Sequence, residues 1–164
     1  MFSAFQLNYY AIAYLATSIG GNKFINCTIS GVAEILGCII TGLALSRMSD
    51  RVFFAISCLI TCVANFVFYV VPAGLPQYLC FTLFAMGVAG QYASIYILAE
   101  LRLPPEYTAT GMMLMTTLGT CAAAFSPSIG SADQPVMMIV PGLLAALNLL
   151  MTFFIGPPGK YLPK

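Results

Sequence analysis

The chain has 164 residues, of which 60% are hydrophobic and 7% charged, with no histidine and a formal net charge of +1 at pH 7. A water-soluble domain carries roughly 25% charged residues, so a soluble globular fold is excluded. The near-neutral balance excludes a nucleic-acid partner gripped by a basic face, and the lack of histidine excludes several enzyme classes and di-haem bundles.

Six apolar stretches follow one another, at residues 2–19, 24–45, 52–71, 78–98, 108–125 and 136–155. A helix needs about 20 apolar residues to cross a hydrocarbon core of about 30 Å. The runs are long and unbroken, without the ten-residue alternation of membrane barrel strands. The expected fold is all-α: one integral membrane domain, residues 1–164, built as a bundle of six transmembrane helices.

The first span is the least apolar, carrying Gln6, Asn8, Tyr9, Tyr10 and Tyr14. It has no basic leader and no small-residue cleavage site, so it reads as a retained helix rather than a secretory signal. Tyr9 and Tyr10 lie deeper than an interfacial aromatic belt would place them, which suits a cavity lining. Gly20-Gly21-Asn22-Lys23 forms the first turn.

The second span holds Glu34 near its middle. An ionisable group inside a bilayer is costly and by default a functional candidate. Cys27, Ser30, Cys38 and Thr41 share its helical face. Two readings stand side by side: a carboxylate that binds a cation or proton, and a protonated Glu, its pKa raised by burial, bonded to a neighbouring helix. Gly31, Gly37 and Gly42 offer close helix contacts. A charged turn follows, with Arg47, Asp50 and Arg51.

Cys58 and Cys62 fall one helical turn apart in the third span, with no histidine or carboxylate to complete a zinc site. The six cysteines read as small packing residues, and neither metal nor cofactor is expected. Pro72, Gly74 and Pro76 mark the next turn. The fourth span carries small residues (Ala85, Gly87, Ala89, Gly90, Ala93) and a second polar and aromatic set, Gln91, Tyr92 and Tyr96. Hydrogen bonding between helices explains that set as well as a binding role does. Glu100 and Arg102 then join Arg47, Asp50 and Arg51 in one charged layer, which is either a latch between conformations or a set of solvated loop charges.

Pro104-Pro105 breaks the chain. The fifth span offers Gly119 and Ala122 to Ala124 for packing, residues 126–135 read as a polar turn, and Pro127 and Pro141 bend or end helices. Residues 156–164 contain three prolines and cannot continue the sixth helix. Arg47, Arg51, Arg102, Lys160 and Lys164 all fall on the side of the termini, with Lys23 alone opposite. By the excess of Lys and Arg on inner loops, both termini face the cytoplasm, or the matrix of a mitochondrion. No nucleophile–base pair or glycine-rich phosphate loop is present, so an enzyme is not expected.

Several of these segments, taken in order, resemble one family. Tyr9-Tyr10, Gly20-Gly21-Asn22 and Asn26 look like the seventh helix of the organic cation/carnitine transporter family of the major facilitator superfamily. Ser30-Gly31-Val32-Ala33-Glu34 resembles its eighth helix, and residues 45–51 the cytoplasmic motif that follows. Ala99-Glu100-Leu101, Pro104 and Thr110-Gly111 resemble the segment after its tenth helix. Leu114, Gly119 and Pro127 continue the likeness through the eleventh, and residues 156–163 are similar to the family's Pro-Glu-Thr-Lys-Gly-type ending. The chain departs from the pattern at Ser46, where the family has Asp, and at Asp50, where it has a basic residue. The Arg expected before Thr110-Gly111 is missing. Thr120 stands where the family reads ionic substrates with a charge, and Pro158 replaces the Glu of the ending.

The resemblance implies the C-terminal six-helix half of a major-facilitator-type fold, arranged as three plus three inverted helices. It implies transport of an organic ion or small metabolite by alternating access, once the half is paired with another helix bundle. Glu34, Tyr9, Tyr10, Gln91, Tyr92, Tyr96 and Thr120 would line the substrate, and Arg47, Asp50, Arg51, Glu100 and Arg102 would gate it. The expected partners are the lipid bilayer and another membrane protein: a missing half, a second copy or a larger complex. The departures in the gating charges support a second expectation, a non-transporting subunit of a larger membrane assembly such as a mitochondrial energy-transducing complex. The plasma membrane and the mitochondrial inner membrane both fit.

Overall fold

The computed structural model describes residues 2–18, 22–72, 74–130 and 134–154. Among these, every regular element is a helix: α1 (Phe2–Ser18), α2 (Lys23–Leu45), α3 (Asp50–Val70), α4 (Leu75–Arg102), α5 (Thr108–Ala123), α6 (Ser126–Gly130) and α7 (Gln134–Phe154). Each expected apolar stretch overlaps one of the helices other than α6. Among the described residues, four stretches are long and apolar enough to cross a membrane, Lys23–Leu45, Asp50–Phe68, Leu75–Arg102 and Thr108–Ile129. α1, with 17 residues, and the apolar part of α7, Ile139–Phe154, are shorter. The fold is consistent with an all-α, multi-pass membrane bundle. The Gly20-Gly21 turn, the ends of the outer spans at Ile19 and Ile155, and the tail with Pro158, Lys160 and Lys164 lie outside the described residues.

Local chemistry sets the boundaries. Asn22 caps α2, its side-chain oxygen accepting a bond of 2.9 Å from the Phe24 amide, which satisfies one of the free donors of the first turn. Gly74 precedes α4 with φ 135°, a conformation open to glycine and strained for other residues. Pro76 sits in the first turn of α4, where a missing N–H breaks no helical bond.

Two boundaries differ from expectation. α4 is 28 residues long and carries Glu100 and Arg102 on its last turn rather than in a loop. Residues 126–130, expected in a polar turn, form the short helix α6. Pro127 lies in its first turn, so here the proline starts a helix instead of ending one.

α4 packs along α2 and α3, α1 packs along α5 and α7, and α3 packs along α7. Exchanging α1 with α4, α2 with α5 and α3 with α7 maps these principal contacts onto one another: α2–α4 onto α5–α1, α3–α4 onto α7–α1, and α3–α7 onto itself. The closest approaches occur at small residues. A Cβ on Gly37 would stand 2.9 Å from the Ala89 Cβ and the Met86 carbonyl oxygen, and one on Gly87 would stand 2.5 Å from the Thr61 Oγ1. Gly119 meets Gln6 and Phe2 in the same way, and Gly142 meets Asn65. Of the three glycines expected to pack α2, only Gly37 does so, since Gly31 and Gly42 face open space.

Phe5, Phe54, Phe81, Phe84 and Val88 fill the interior. The outward face of α2 presents Phe24, Ile25, Val32, Ile35, Leu36, Ile39 and Leu43, all exposed. Arg51 ties α3 to the end of α7: its Nε donates to the Thr152 carbonyl at 3.1 Å and its Nη2 to the Phe153 carbonyl at 2.7 Å. A cation at the carbonyl end of a helix is favourable both as a hydrogen bond and through the helix dipole.

Candidate functional site

α1 presents Phe2, Phe5 and Tyr9 at spacings of three and four, and α4 presents Tyr92 and Tyr96 at a spacing of four. Such spacings place side chains on one helical face. The two rows meet. The Phe2 ring stands edge-on to Tyr96 at 5.3 Å, Phe5 lies 5.7 Å from Tyr92, and Tyr9 lies 5.5 Å from Tyr92. Tyr92 and Tyr96 are 4.9 Å apart, and Tyr10 stands edge-on to Tyr9 at 5.6 Å. Edge-on and tilted rings at these separations are the favourable arrangements for aromatic quadrupoles.

α2 brings Glu34 to the end of this row. The Tyr9 hydroxyl donates to Glu34 Oε2 at 3.3 Å and the Ser30 hydroxyl to Oε1 at 3.4 Å. Both are long for an O–H···O bond, which is usually about 2.7–2.8 Å, so the carboxyl is held loosely. It borders an open depression of about 320 Å³ whose lining includes Tyr9, Tyr10, Ala16, Cys27, Ser30 and Gly31. Among the described residues, no basic residue lines it. A carboxyl in a depression lined by the rings of Tyr9 and Tyr10 is a favourable setting for a cation.

The structure therefore brings together Glu34, Tyr9 and Tyr10, with Tyr92 and Tyr96 one ring further along. It places Gln91 elsewhere. That side chain is fully buried between α3 and α4, its Nε2 donating to Thr61 Oγ1 at 2.7 Å and to the Ser57 carbonyl at 3.3 Å. Of the two readings open for Gln91, hydrogen bonding between helices is the geometry seen. Thr120 is exposed on α5, outside the lining of the depression, and its hydroxyl bonds the Thr116 carbonyl of its own helix at 2.9 Å. Thr41 turns towards α4, beside Gly90, while Cys38 is exposed.

In the charged layer, Asp50 and Arg51 lie close enough to Arg102 to act on its charge. Arg47 and Glu100 are exposed. Among the described residues, no group of three or more His, Cys, Asp or Glu side chains could hold a metal ion. Phe2 and Phe5 complete the ring row and were not singled out from the sequence. Their spacing with Tyr9 carries the signal, but the same spacing serves an ordinary apolar core equally well.

No family model matches the chain. It is 22% identical over 159 residues to an organic cation transporter protein of Drosophila melanogaster. That similarity covers 92% of this chain and 29% of the relative, so the chain spans a minor part of the length of the protein it matches. The likeness supports a transporter-like relationship and carries no finer statement.

Proposed function

We propose that the chain is one six-helix half of a major-facilitator-type transporter, moving a small organic cation by alternating access once paired with another helix bundle. The observation that carries this reading is the loosely bonded Glu34 carboxyl at the end of an aromatic row, facing an open depression with no basic residue among the described residues of its lining. The exchange of α1, α2 and α3 with α4, α5 and α7 supports it, because three-plus-three repeats of this kind build each half of such transporters. The similarity to an organic cation transporter over most of the chain supports it too.

In this reading Glu34 neutralises the substrate's charge, while the rings of Tyr9 and Tyr10, which line the depression, contact it, and Tyr92 packs behind Tyr9. The Tyr9 and Ser30 hydroxyls orient the carboxyl and release it without large cost, since neither bond is short. The end of the bundle that carries Arg47, Arg51 and Arg102 faces the cytoplasm or the matrix. A second bundle closes the open side.

Uptake of tetraethylammonium into vesicles bearing the protein with its partner tests the proposal. Glu34→Gln is expected to lower uptake at least tenfold, about 1.4 kcal/mol, with the amount of folded protein in the membrane unchanged. Equal uptake by the variant and the parent overturns it.

One observation favours a static subunit instead. Arg51, expected in a gate, is bonded to two carbonyls at the end of α7, a joint with no evident need to open. Migration in a native gel separates the two readings: a pair of six-helix bundles fits transport, and a much larger complex without uptake fits the subunit.

A further inference from the structure

The depression beside Glu34 extends well beyond the carboxyl. At one end Tyr9 of α1 meets Glu34 of α2, and at the other the Asn26 Nδ2 donates to the Ala16 carbonyl at 3.0 Å. The two ties fix an antiparallel register for α1 and α2 and stand about 10 Å apart along the helices, at 1.5 Å per residue. Cys27, Gly31 and Glu34, spaced by four and three, share one face of α2, and all three line the depression. Ala13 lines it from α1, together with the buried Ile12 and Ala16. Gly31 stands midway in this groove, and a Cβ there would meet no atom within 4 Å. The open space therefore runs from the carboxyl past Gly31 to Cys27.

The two ends of the groove suit different parts of a ligand. The carboxyl, Ser30 and the rings of Tyr9 and Tyr10 offer a cation both charge and ring contact. Past Ser30 the lining is Ile12, Ala13, Ala16, Gly31 and Cys27, with no charged group among the described residues. A second polar group on the ligand would lose its water there without replacement, whereas apolar surface gains by leaving water. A compact cation would use the first end alone. The missing side chain at position 31 keeps the second end joined to it.

We propose that Gly31 is a specificity-determining residue of the Glu34 site, admitting cations that carry one apolar arm. The charged head stays between Glu34 and Tyr9, and the arm lies across Gly31 towards Cys27. A larger side chain at position 31 divides the groove and leaves space for compact cations alone. The inference rests on the reading of Glu34 as a cation site and adds to it the residue that sorts one cation from another.

The test compares uptake of tetramethylammonium and octyltrimethylammonium into vesicles bearing the protein with its partner. Gly31→Leu is expected to lower the ratio of octyl to tetramethyl uptake at least about tenfold, since each buried methylene is worth roughly fourfold and the leucine displaces more than one. Gly42→Leu, at a glycine of the same helix that is equally open and outside the depression, should leave the ratio unchanged. A second measurement needs no variant. Octyltrimethylammonium should slow alkylation of Cys27 by N-ethylmaleimide severalfold, tetramethylammonium should not, and the exposed Cys38 should react equally with either present. An unchanged ratio in Gly31→Leu overturns the inference, while uptake that still depends on Glu34 keeps the earlier reading. Equal alkylation of Cys27 under the two cations overturns it even where Gly31→Leu does not fold. Uptake of neither cation by the parent protein overturns both.

Discussion

Two polar clusters inside the same bundle behave in opposite ways. At the α3–α4 seam, the Gln91 amide reaches Thr61 Oγ1 at 2.7 Å and the Ser57 carbonyl at 3.3 Å, and all three residues are buried. At the α1–α2 site, Tyr9 and Ser30 reach Glu34 at 3.3 and 3.4 Å beside an open depression. The difference lies in the glycines opposite. Gly87 and Gly90 let the backbones of α3 and α4 close on the seam, whereas Gly31 meets nothing within 4 Å and helps to line the depression. In lipid, small residues decide how closely two helices approach. A polar pair between closed helices holds them together, and a polar pair between open ones stays available to a ligand.

The strongest way to break this contrast is to fill both glycines. In Gly87→Val the new side chain must displace Thr61, whose Oγ1 lies 2.5 Å and whose amide nitrogen 3.2 Å from a Cβ there. The expected loss is at or above the upper end of the roughly 1–3 kcal/mol typical of overpacking, read as resistance to unfolding in mixed detergent. Gly31→Val should change stability by no more than about 0.5 kcal/mol, as substitutions in open positions do. Equal losses in the two variants would show that the seam is no tighter than the site.

A smaller effect is expected from Gln91→Leu, which keeps the bulk and removes the amide. Hydrogen bonds between membrane helices are worth about 0.6 kcal/mol on average and at most about 1.7. The same unfolding measurement should show a loss in that range, with uptake no worse than stability explains. A collapse of uptake in stable Gln91→Leu protein would return Gln91 to the substrate site.

The smallest change in stability belongs to Tyr9→Phe, at most about 0.5 kcal/mol, because a long bond at a partly open group gives back little against water. Its functional effect should exceed its structural one, as reduced cation uptake in protein of parental stability. Were Tyr9→Phe to destabilise more than Gln91→Leu, the assignment of glue and site would be reversed.

Glu34, Tyr9, Tyr92 and Tyr96 could be picked out from the chain alone. A carboxyl in the middle of an apolar span stands out, although a protonated Glu bonded to a neighbouring helix reads the same way in sequence, and tyrosines four apart on a helix must share a face. Gln91 could not be separated from Tyr92 in this way. The two are neighbours in sequence and about 100° apart around the helix, and α4 packs against α1, α2 and α3. Gly31, Gly37 and Gly42 are equally good packing residues on paper, yet only Gly37 has Ala89 and Met86 opposite it. Pro127 reads in sequence as bending or ending a helix, and it lies in the first turn of α6 instead.

The order of the apolar helices and the all-α class were determined by the sequence itself, because the thickness of a bilayer and the need to satisfy every backbone amide admit few other solutions for such runs. The rotation of each helix about its axis was decided only in three dimensions. A leucine gains little by exchanging lipid for protein, so apolar residues do not say which way to face. That choice fell to the places where a small residue on one helix happened to meet a complementary surface on another.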